Sequence, residues 1–169
     1  MIKNHFFVII IVVAILIIGL GFFGYKFSGF LTESKVNDSV ELIKLKVFFI
    51  NSQLDPGVSC VKVFSVERFV TSTPAVGLAA LQQLLVGPTK SEKAGGFGTT
   101  INPGVTVQKL TIENGIARVD FNDELDRQAG GSCRVSAIRA QIEATLKQFS
   151  TVKEVIISIN GQSEDILQP

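Results

Sequence analysis

The sequence predicts an α+β domain, with a mixed β-sheet of about five strands and two helices packed on one face, preceded by one transmembrane helix. Three observations lead to this prediction. Residues 6–25 are uncharged, several later segments are rich in β-branched and aromatic residues, and two others repeat apolar residues at helical spacing. The order of these segments after residue 26 is ββαββαβ, which is typical of a mixed sheet covered by helices.

The first element is the membrane segment FFVIIIVVAILIIGLGFFGY, residues 6–25, which Lys3 and Lys26 flank. A helix of this length spans roughly 30 Å, the hydrocarbon thickness of a bilayer. A cleavable signal peptide has a shorter apolar core and small residues at its cleavage site, whereas Tyr25, Lys26 and Phe27 occupy that place here. We therefore expect residues 1–26 to form a short tail and a membrane anchor.

The side of the membrane on which the rest of the chain lies is predicted from other features, because the lysines on either side of the anchor give a weak charge bias. Uncleaved N-terminal anchors commonly export the domain that comes after them. The chain also has two cysteines, Cys60 and Cys133, which would form a natural disulfide outside the cytoplasm. The predicted localisation is the cell membrane, single-pass, with the C-terminal domain extracytoplasmic.

The remaining elements are predicted in order along the chain. Residues 27–43 mix polar and small residues and are expected to form a tether, residues 44–161 a folded domain, and residues 162–169 a frayed C-terminal tail. About 120 residues suffice for one hydrophobic core.

The first half of the domain is expected to contain strands at 45–50 and 60–70, separated by a loop at 51–57 with a Pro-Gly turn signal. A helix then begins at Thr73-Pro74, because Thr caps free amides and Pro is tolerated in the first turn. Gly87-Pro88 ends that helix.

The second half begins with a long loop at 89–104, a length that is often functional or mobile. A hairpin at 106–121 comes next, turning at Asn114-Gly115, the preferred type I′ pair. A second helix after Gly130-Gly131-Ser132 carries a regular apolar stripe, and residues 152–159 form the last strand. The stripe consists of Val135, Ile138, Ile142, Leu146 and Phe149.

Three of these segments resemble the GerMN domain, the sporulation and spore germination domain of bacterial envelope proteins. They are ALQQLLVGPT at 80–89, TTINPG at 99–104 and the hairpin NGIARVDF at 114–121. The resemblance covers roughly residues 44–161 in a single copy. It implies an envelope-exposed interaction module, related to ring-forming domains of export and sporulation complexes, with no catalytic residues. The cysteine pair departs from the pattern, as does a transmembrane helix where several relatives carry a lipoprotein cysteine.

The residue inventory argues against most enzymes. The only histidine is His5, so a Ser-His-Asp triad, a Cys-His pair and a histidine metal site are not available to the domain. Without Lys3 and Lys26 the net charge of +1 becomes slightly negative, and Trp is absent. Nucleic-acid binding normally needs a basic stripe or aromatic platforms, so we expect neither nucleic acid nor a cofactor.

A carboxylate cluster lies after the hairpin, and its members are Asp120, Asp123, Glu124 and Asp126. As a calcium loop it lacks the required glycine, which is replaced by Leu125, and the bidentate glutamate, which is replaced by Gly131. A solvated strand end is favoured; were calcium bound, Asp123, Glu124 and Asp126 would be the ligands. A glycosidase would need two carboxyls across a cleft, which nothing in the sequence indicates.

Two glycine-rich segments invite an anion-binding hypothesis. Gly130-Gly131-Ser132 precedes a helix, where an anion could bind with help from Arg134. A flexible loop with a serine N-cap explains the same residues without a ligand and is favoured. Residues 95–98 lack the lysine and hydroxyl of a phosphate loop, so we assign them no nucleotide role.

The cysteines are predicted to form a structural disulfide between Cys60, at the start of the second extended segment, and Cys133, in the first turn of the second helix. Their Cα atoms should then lie within about 7 Å. The competing hypothesis is a reactive Cys133 thiolate at the helix N-terminus, but the domain lacks the histidine that usually serves as its base.

Together these features predict a non-enzymatic, membrane-anchored extracytoplasmic module that binds other envelope proteins, or itself, through a sheet edge or a helical face. The alternative is a domain that binds peptidoglycan or a small polar ligand through the 89–104 loop. A carboxylate-dependent glycan hydrolase is weaker still.

Overall fold

The computed structural model describes residues 40–168. The predicted anchor at 6–25 and most of the predicted tether lie outside this range. Within residues 40–168, no helix is both long enough and apolar enough to span a bilayer. The described elements are β1 Leu42–Asn51, β2 Phe64–Thr71, α1 Val76–Val86, α2 Lys90–Ala94, β3 Phe97–Gly98, β4 Val107–Glu113, β5 Ile116–Phe121, a 3-10 turn Asp123–Leu125, α3 Ser132–Lys147 and β6 Glu154–Ile159.

The α+β class is confirmed, but the strands form two three-stranded sheets rather than one mixed sheet of five. The first sheet has the order β2-β1-β3 and is antiparallel. The second has the order β4-β5-β6, with β5 and β6 parallel. The second partner of β1 is Phe97–Gly98, a two-residue strand without a sequence signature, and the hairpin strands pair with β6 in a sheet of their own.

The prediction that two helices cover one face of a single sheet is wrong. The helices α1 and α3 instead pack between the two sheets. The helices α1 and α3 contact each other, and each also contacts β1 and one strand of the second sheet. The core between them includes the buried apolar residues Leu45, Val47 and Phe49 of β1 and Ala117, Val119 and Phe121 of β5. In β5 the buried residues alternate with more exposed ones, which is typical of a strand with one face against the core.

The edge of β1 that faces away from β2 pairs with β3 only at its end, and side chains of α3 and its C-cap close that edge at Lys46 and Phe48. The Gln148 carboxamide accepts from the Lys46 amide at 2.8 Å and donates to the Lys46 carbonyl at 2.7 Å. The Thr145 hydroxyl accepts from the Phe48 amide at 3.2 Å. These bonds satisfy backbone groups that would otherwise lack partners.

Several predicted boundaries are wrong for local reasons. The first helix begins at Val76, because the Thr73 hydroxyl accepts from the Ala75 amide in the preceding turn instead of capping the helix. The second strand begins at Phe64, and Cys60 lies in a loop at a φ of 67°. The third helix has Gly131 as its N-cap, so Ser132 is its first residue and not its cap.

Two further segments are more ordered than predicted. The 89–104 loop contains α2, whose N-cap Thr89 forms a reciprocal capping box with Glu92. The C-terminal segment is not frayed as far as Leu167, because Ile166 and Leu167 are buried and the Leu167 amide donates to Asp126. The hairpin turn is as predicted, with Asn114 and Gly115 both at positive φ.

Candidate functional site

The loop between β1 and β2, residues 52–63, carries apolar side chains that remain in water. Leu54, Val58 and Val61 are 55%, 63% and 61% exposed, in a fold whose other large apolar residues are mostly buried. A cluster of exposed apolar side chains on one loop is more informative than single exposed residues scattered over a surface. This loop, called the β1–β2 loop below, is therefore the candidate interaction site.

The loop is held in place by its own polar groups. The buried Asn51 carboxamide accepts from the amides of Gln53 and Leu54 and donates to the Gly95 carbonyl. The Asp55 carboxylate accepts from the amide and the hydroxyl of Ser59, both at 2.8 Å. Both hydrogen bonds lower the pKa of the Asp55 carboxyl, and the bond from the Ser59 amide has the larger effect. The loop conformation is thus defined, although its apolar side chains are not buried.

Two residues of the loop adopt left-handed backbone conformations that L residues rarely take. Val58 has a φ of 48° and Cys60 a φ of 67°. For a β-branched residue such as valine this conformation is an outlier, with a cost of order 1–3 kcal/mol. Strain of this kind persists where the surrounding structure over-determines the backbone, and it is concentrated at functional sites.

The predicted disulfide is present and fastens the strained part of the loop to the first turn of α3. Cys60 and Cys133 are bonded, with their Cα atoms 4.9 Å apart, inside the predicted limit of about 7 Å. No cysteine in residues 40–168 is free, so the thiolate hypothesis for Cys133 does not describe this state of the protein. The bond explains how the loop keeps its position against the helix.

A cavity of about 390 Å³ opens beside the disulfide and is called the disulfide pocket below. Its exposed wall is mostly apolar, and it lies between the loop, the end of β1 and the first turns of α3. Its lining residues are Ile50, Asn51, Ser52, Asp55, Val58, Cys60, Lys62, Thr100, Cys133, Arg134 and Ala137. This size and lining are typical of a pocket that accepts an apolar group.

Arg134, which could assist an anion under the less favoured hypothesis for Gly130-Gly131-Ser132, is bonded to protein acceptors. Its guanidinium donates to the Asn102 side chain and to the backbone carbonyls of Gln128 and Thr100. Gly131 is the helix N-cap, so the local sequence is accounted for without an anion. Arg134 therefore fixes the 100–102 and 128 segments against α3, on one side of the disulfide pocket.

The carboxylates that would be the ligands of a bound calcium ion are not brought together around a common point. Glu124 forms an ion pair with Arg127, whereas Asp126 accepts from the Leu167 amide. Asp123 begins the 3-10 turn, and Asp120 accepts from Ser158 and Gly161 beside β6. Within residues 40–168, no group of three or more His, Cys, Asp or Glu side chains is placed to hold a metal ion.

A second, polar depression of about 540 Å³ lies where the chain leaves β6. It is lined by Asp123, Asp126, Arg127, Ile159, Asn160, Gln162, Asp165 and Ile166. Charges of both signs line it, so it differs in character from the disulfide pocket. Neither this depression nor the exposed apolar loop was predicted from the sequence. The sequence did contain a sign of the loop, because Leu54, Val58 and Val61 lie around the Pro56-Gly57 turn, where apolar side chains are unusual.

Comparison with known proteins gives the same fold. The sequence matches the family described as Germane, sporulation and spore germination, over residues 46–165. No curated protein matches the chain significantly. Among solved structures, the tandem GerMN domains of the sporulation protein GerM from Bacillus subtilis match with 20% identity and a TM-score of 0.58, covering 76% of this chain and 43% of that one.

The first GerMN domain of the same Bacillus subtilis protein matches with 21% identity and a TM-score of 0.52, covering 72% of this chain and 85% of that chain. This chain therefore spans under half of the tandem protein and most of its first domain. At these identities the structural likeness concerns the fold alone. Because the family match covers more than half of the sequence, the chain belongs to the Germane (GerMN) sporulation and spore germination family.

Proposed function

We propose that this chain is a non-enzymatic, membrane-anchored extracytoplasmic module that binds another protein of the cell envelope through the β1–β2 loop and the disulfide pocket. The observation that carries the proposal is the placement of three exposed apolar side chains, Leu54, Val58 and Val61, on the loop that borders an apolar cavity. The family supports an envelope role but not this particular surface.

Desolvation of apolar surface favours binding at this loop. Burying the exposed parts of Leu54, Val58 and Val61 under a partner removes apolar surface from water, which is favourable by about 25 cal/mol per Å². The adjoining cavity accepts one apolar or aromatic side chain of the partner, and such an anchor in a pocket is the usual centre of binding energy. Because the loop is already fixed by Asn51, Asp55 and the disulfide, little ordering entropy is lost on binding.

The extracytoplasmic location is supported by the Cys60–Cys133 bond, because disulfides persist outside the reducing cytosol. Membrane attachment is supported by the uncharged segment at 6–25. A protease-protection assay on intact cells tests both. We expect the domain to be digested from outside and a short N-terminal fragment to stay with the membrane; digestion only after lysis would contradict this topology.

The absence of an enzymatic role is part of the proposal. The cavity wall offers Asp55, whose carboxylate is bonded to Ser59, and Arg134, whose donors are bonded to carbonyl and amide oxygens. The Asp55 and Arg134 side chains therefore hold neighbouring segments in place, and residues 40–168 contain no histidine to serve as a general base.

The experiment is a crosslinking and co-purification assay with the full-length protein in its own cells. Val58→Ser and Val61→Ser together should abolish capture of the partner. The matched control is Val86→Ser, since Val86 is 78% exposed but lies at the end of α1. Equal capture by the loop variant and the control variant would overturn the assignment of this surface.

A second candidate is a polar ligand such as peptidoglycan, held in the depression around Asp123, Asp126 and Gln162. The 89–104 segment, from which this alternative was predicted, is partly helical and pairs with β1, so the depression is the better location. Binding to purified sacculi that is lost in Asp126→Asn but kept in the Val58 and Val61 variant would favour this candidate.

A further inference from the structure

The first sheet has two edges of opposite character. On one side of β1 the backbone is closed by β3 and by Thr145 and Gln148. On the other side lies β2, the outer strand of the sheet among the described residues, with eight residues in regular antiparallel register. An exposed edge strand of this length can pair with another strand unless it is protected.

The backbone groups that face outward can be identified from the hydrogen bonds of β1. The amides of Lys46 and Phe48 point to α3, so the alternate residues Leu45, Val47 and Phe49 bond to β2. Their partners on β2 are Arg68, Val66 and Phe64. The intervening residues of β2 therefore direct their amides and carbonyls outward, and these residues are Ser65, Glu67, Phe69 and Thr71.

The same residues present their side chains on the exposed face of the sheet. Phe69 is 65% exposed and is the most exposed aromatic residue of the described chain. It lies opposite Lys44, with Leu42 as a diagonal neighbour that is 59% exposed. Residues 64–71 contain no proline and no bulge, and their inward-pointing charge, Arg68, is paired with Glu92. The Arg68 guanidinium also donates to the outward Glu67 carbonyl at 3.1 Å, and that carbonyl keeps a second lone pair for a strand partner.

We propose that β2 pairs with β2 of a second copy of this chain, antiparallel and about a two-fold axis that passes through Phe69. This inference does not depend on the β1–β2 loop as a partner site, because it uses a different strand edge and a different occupant. Of the four central registers, centred on Val66, Glu67, Arg68 or Phe69, those at Val66 and Phe69 bring no like charges together. Of these two, only the register at Phe69 places two aromatic side chains opposite each other.

A two-fold axis through Glu67 would place Glu67 opposite its copy, and an axis through Arg68 would place Arg68 opposite its copy. Like charges directly opposite each other are destabilising. An axis through Phe69 instead places Phe69 opposite Phe69, Glu67 opposite Thr71, and Arg68 opposite Val70. The aromatic pair is favourable, and the outward groups of these residues form about six backbone hydrogen bonds across the axis.

The side chains on the core-facing side of β2 are also compatible with the register centred on Phe69. The Arg68 guanidinium is occupied by the Glu92 carboxylate and by the Glu67 carbonyl, so it does not need a partner from the second copy. Val70 of the second copy would meet its aliphatic stem. The pairing thus joins the two copies' sheets edge to edge without burying an unpaired charge.

The test is position-specific crosslinking in the full-length protein, whose native cysteines are already bonded to each other. Phe69→Cys places two thiols opposite each other at the axis, with Cα atoms about 5.5 Å apart, and should give a covalent dimer under mild oxidation. Glu67→Cys is the matched control, because it is on the same face and two positions along. In this register its two copies lie about 14 Å apart and should not crosslink.

Crosslinking at position 67 that equals or exceeds that at position 69 would overturn the register, and absence of crosslinking at 69 would overturn the pairing.

A second measurement is amide hydrogen exchange of the wild-type protein at several protein concentrations. The amides of Glu67, Phe69 and Thr71 should exchange more slowly as protein concentration rises, and Phe69→Lys should remove that dependence. If Phe69→Lys instead weakens binding to lipid vesicles and leaves exchange unchanged, the exposed face serves a membrane and the proposal is wrong.

Discussion

The β1–β2 loop and the segment from 89 to 104 both connect to elements of the first sheet, yet they are stabilised in different ways. The 89–104 segment buries Ile101, forms α2, and is joined to β2 by the bidentate pair of Arg68 and Glu92. The β1–β2 loop leaves Val58 and Val61 in water and is fastened by the Cys60–Cys133 bond.

The difference shows what a surface segment needs when its apolar residues are reserved for a partner. A segment that buries its own side chains gains stability from packing and from partly buried charges. A segment that keeps them exposed gains neither, and a covalent link supplies the missing constraint. In the β1–β2 loop the disulfide adds to the hydrogen bonds of Asn51 and Asp55, and together they keep its apolar surface ordered.

The largest expected effect is the loss of this link. Cys60→Ser together with Cys133→Ser should lower the free energy of unfolding by about 4 kcal/mol, since the bond closes a loop over a sequence separation of 73. Urea denaturation of variant and wild-type protein measures the difference. Reduction of the wild-type protein should reproduce it, and a loss below about 1 kcal/mol would show that non-covalent contacts hold the loop.

The next effect concerns the ion pair that fixes the other segment. Glu92→Gln should lower the free energy of unfolding by about 2–3 kcal/mol, because it leaves the Arg68 guanidinium, whose side chain is 13% exposed, without its countercharge. The matched control is Glu67→Gln, since the Lys44–Glu67 pair is more than half exposed and is worth about 0.5 kcal/mol or less. Equal losses in the two variants would remove the distinction between the pairs.

The same pair predicts a dependence on pH. The hydrogen bonds from Arg68, followed by the amide of Thr89, lower the pKa of Glu92 from 4.5 to about 2. A carboxyl whose pKa is lower in the folded state contributes stability above the unfolded value. That contribution is lost as the pH falls from about 4.5 towards 2. The difference in unfolding free energy between wild type and Glu92→Gln should therefore shrink over this range; a constant difference would contradict the assignment.

The sequence allowed prediction of features that depend on neighbouring residues. The Asn114-Gly115 turn and the end of α1 at Gly87 depend on backbone preferences at single positions, and both are confirmed. The capping box of α2 was also readable, because Thr89 and Glu92 have the spacing of that motif, but the glycines after it favoured a loop.

Features that depend on distant residues were not predictable in the same way. The pairing of β1 with Phe97–Gly98, and the resulting division into two sheets, is set by packing between segments more than 40 positions apart. The disulfide pocket likewise combines the β1–β2 loop with α3. Its two cysteines were recognised from the sequence, whereas the apolar cavity beside them required the fold.

The smallest expected effect separates stability from binding within the β1–β2 loop itself. Val58 is 63% exposed and has a φ of 48°, so its side chain contributes little packing while its backbone is strained. Asparagine tolerates this conformation, and Val58→Asn should raise the free energy of unfolding by up to about 1 kcal/mol.

The same variant should weaken capture of the envelope partner, because it replaces an apolar contact with a polar one. The control is Val61→Asn, which shares the exposure but lacks the positive φ and should weaken capture without any gain in stability. Loss of stability in Val58→Asn would mean that Val58 supports the fold, and its exposure would then no longer mark a contact surface.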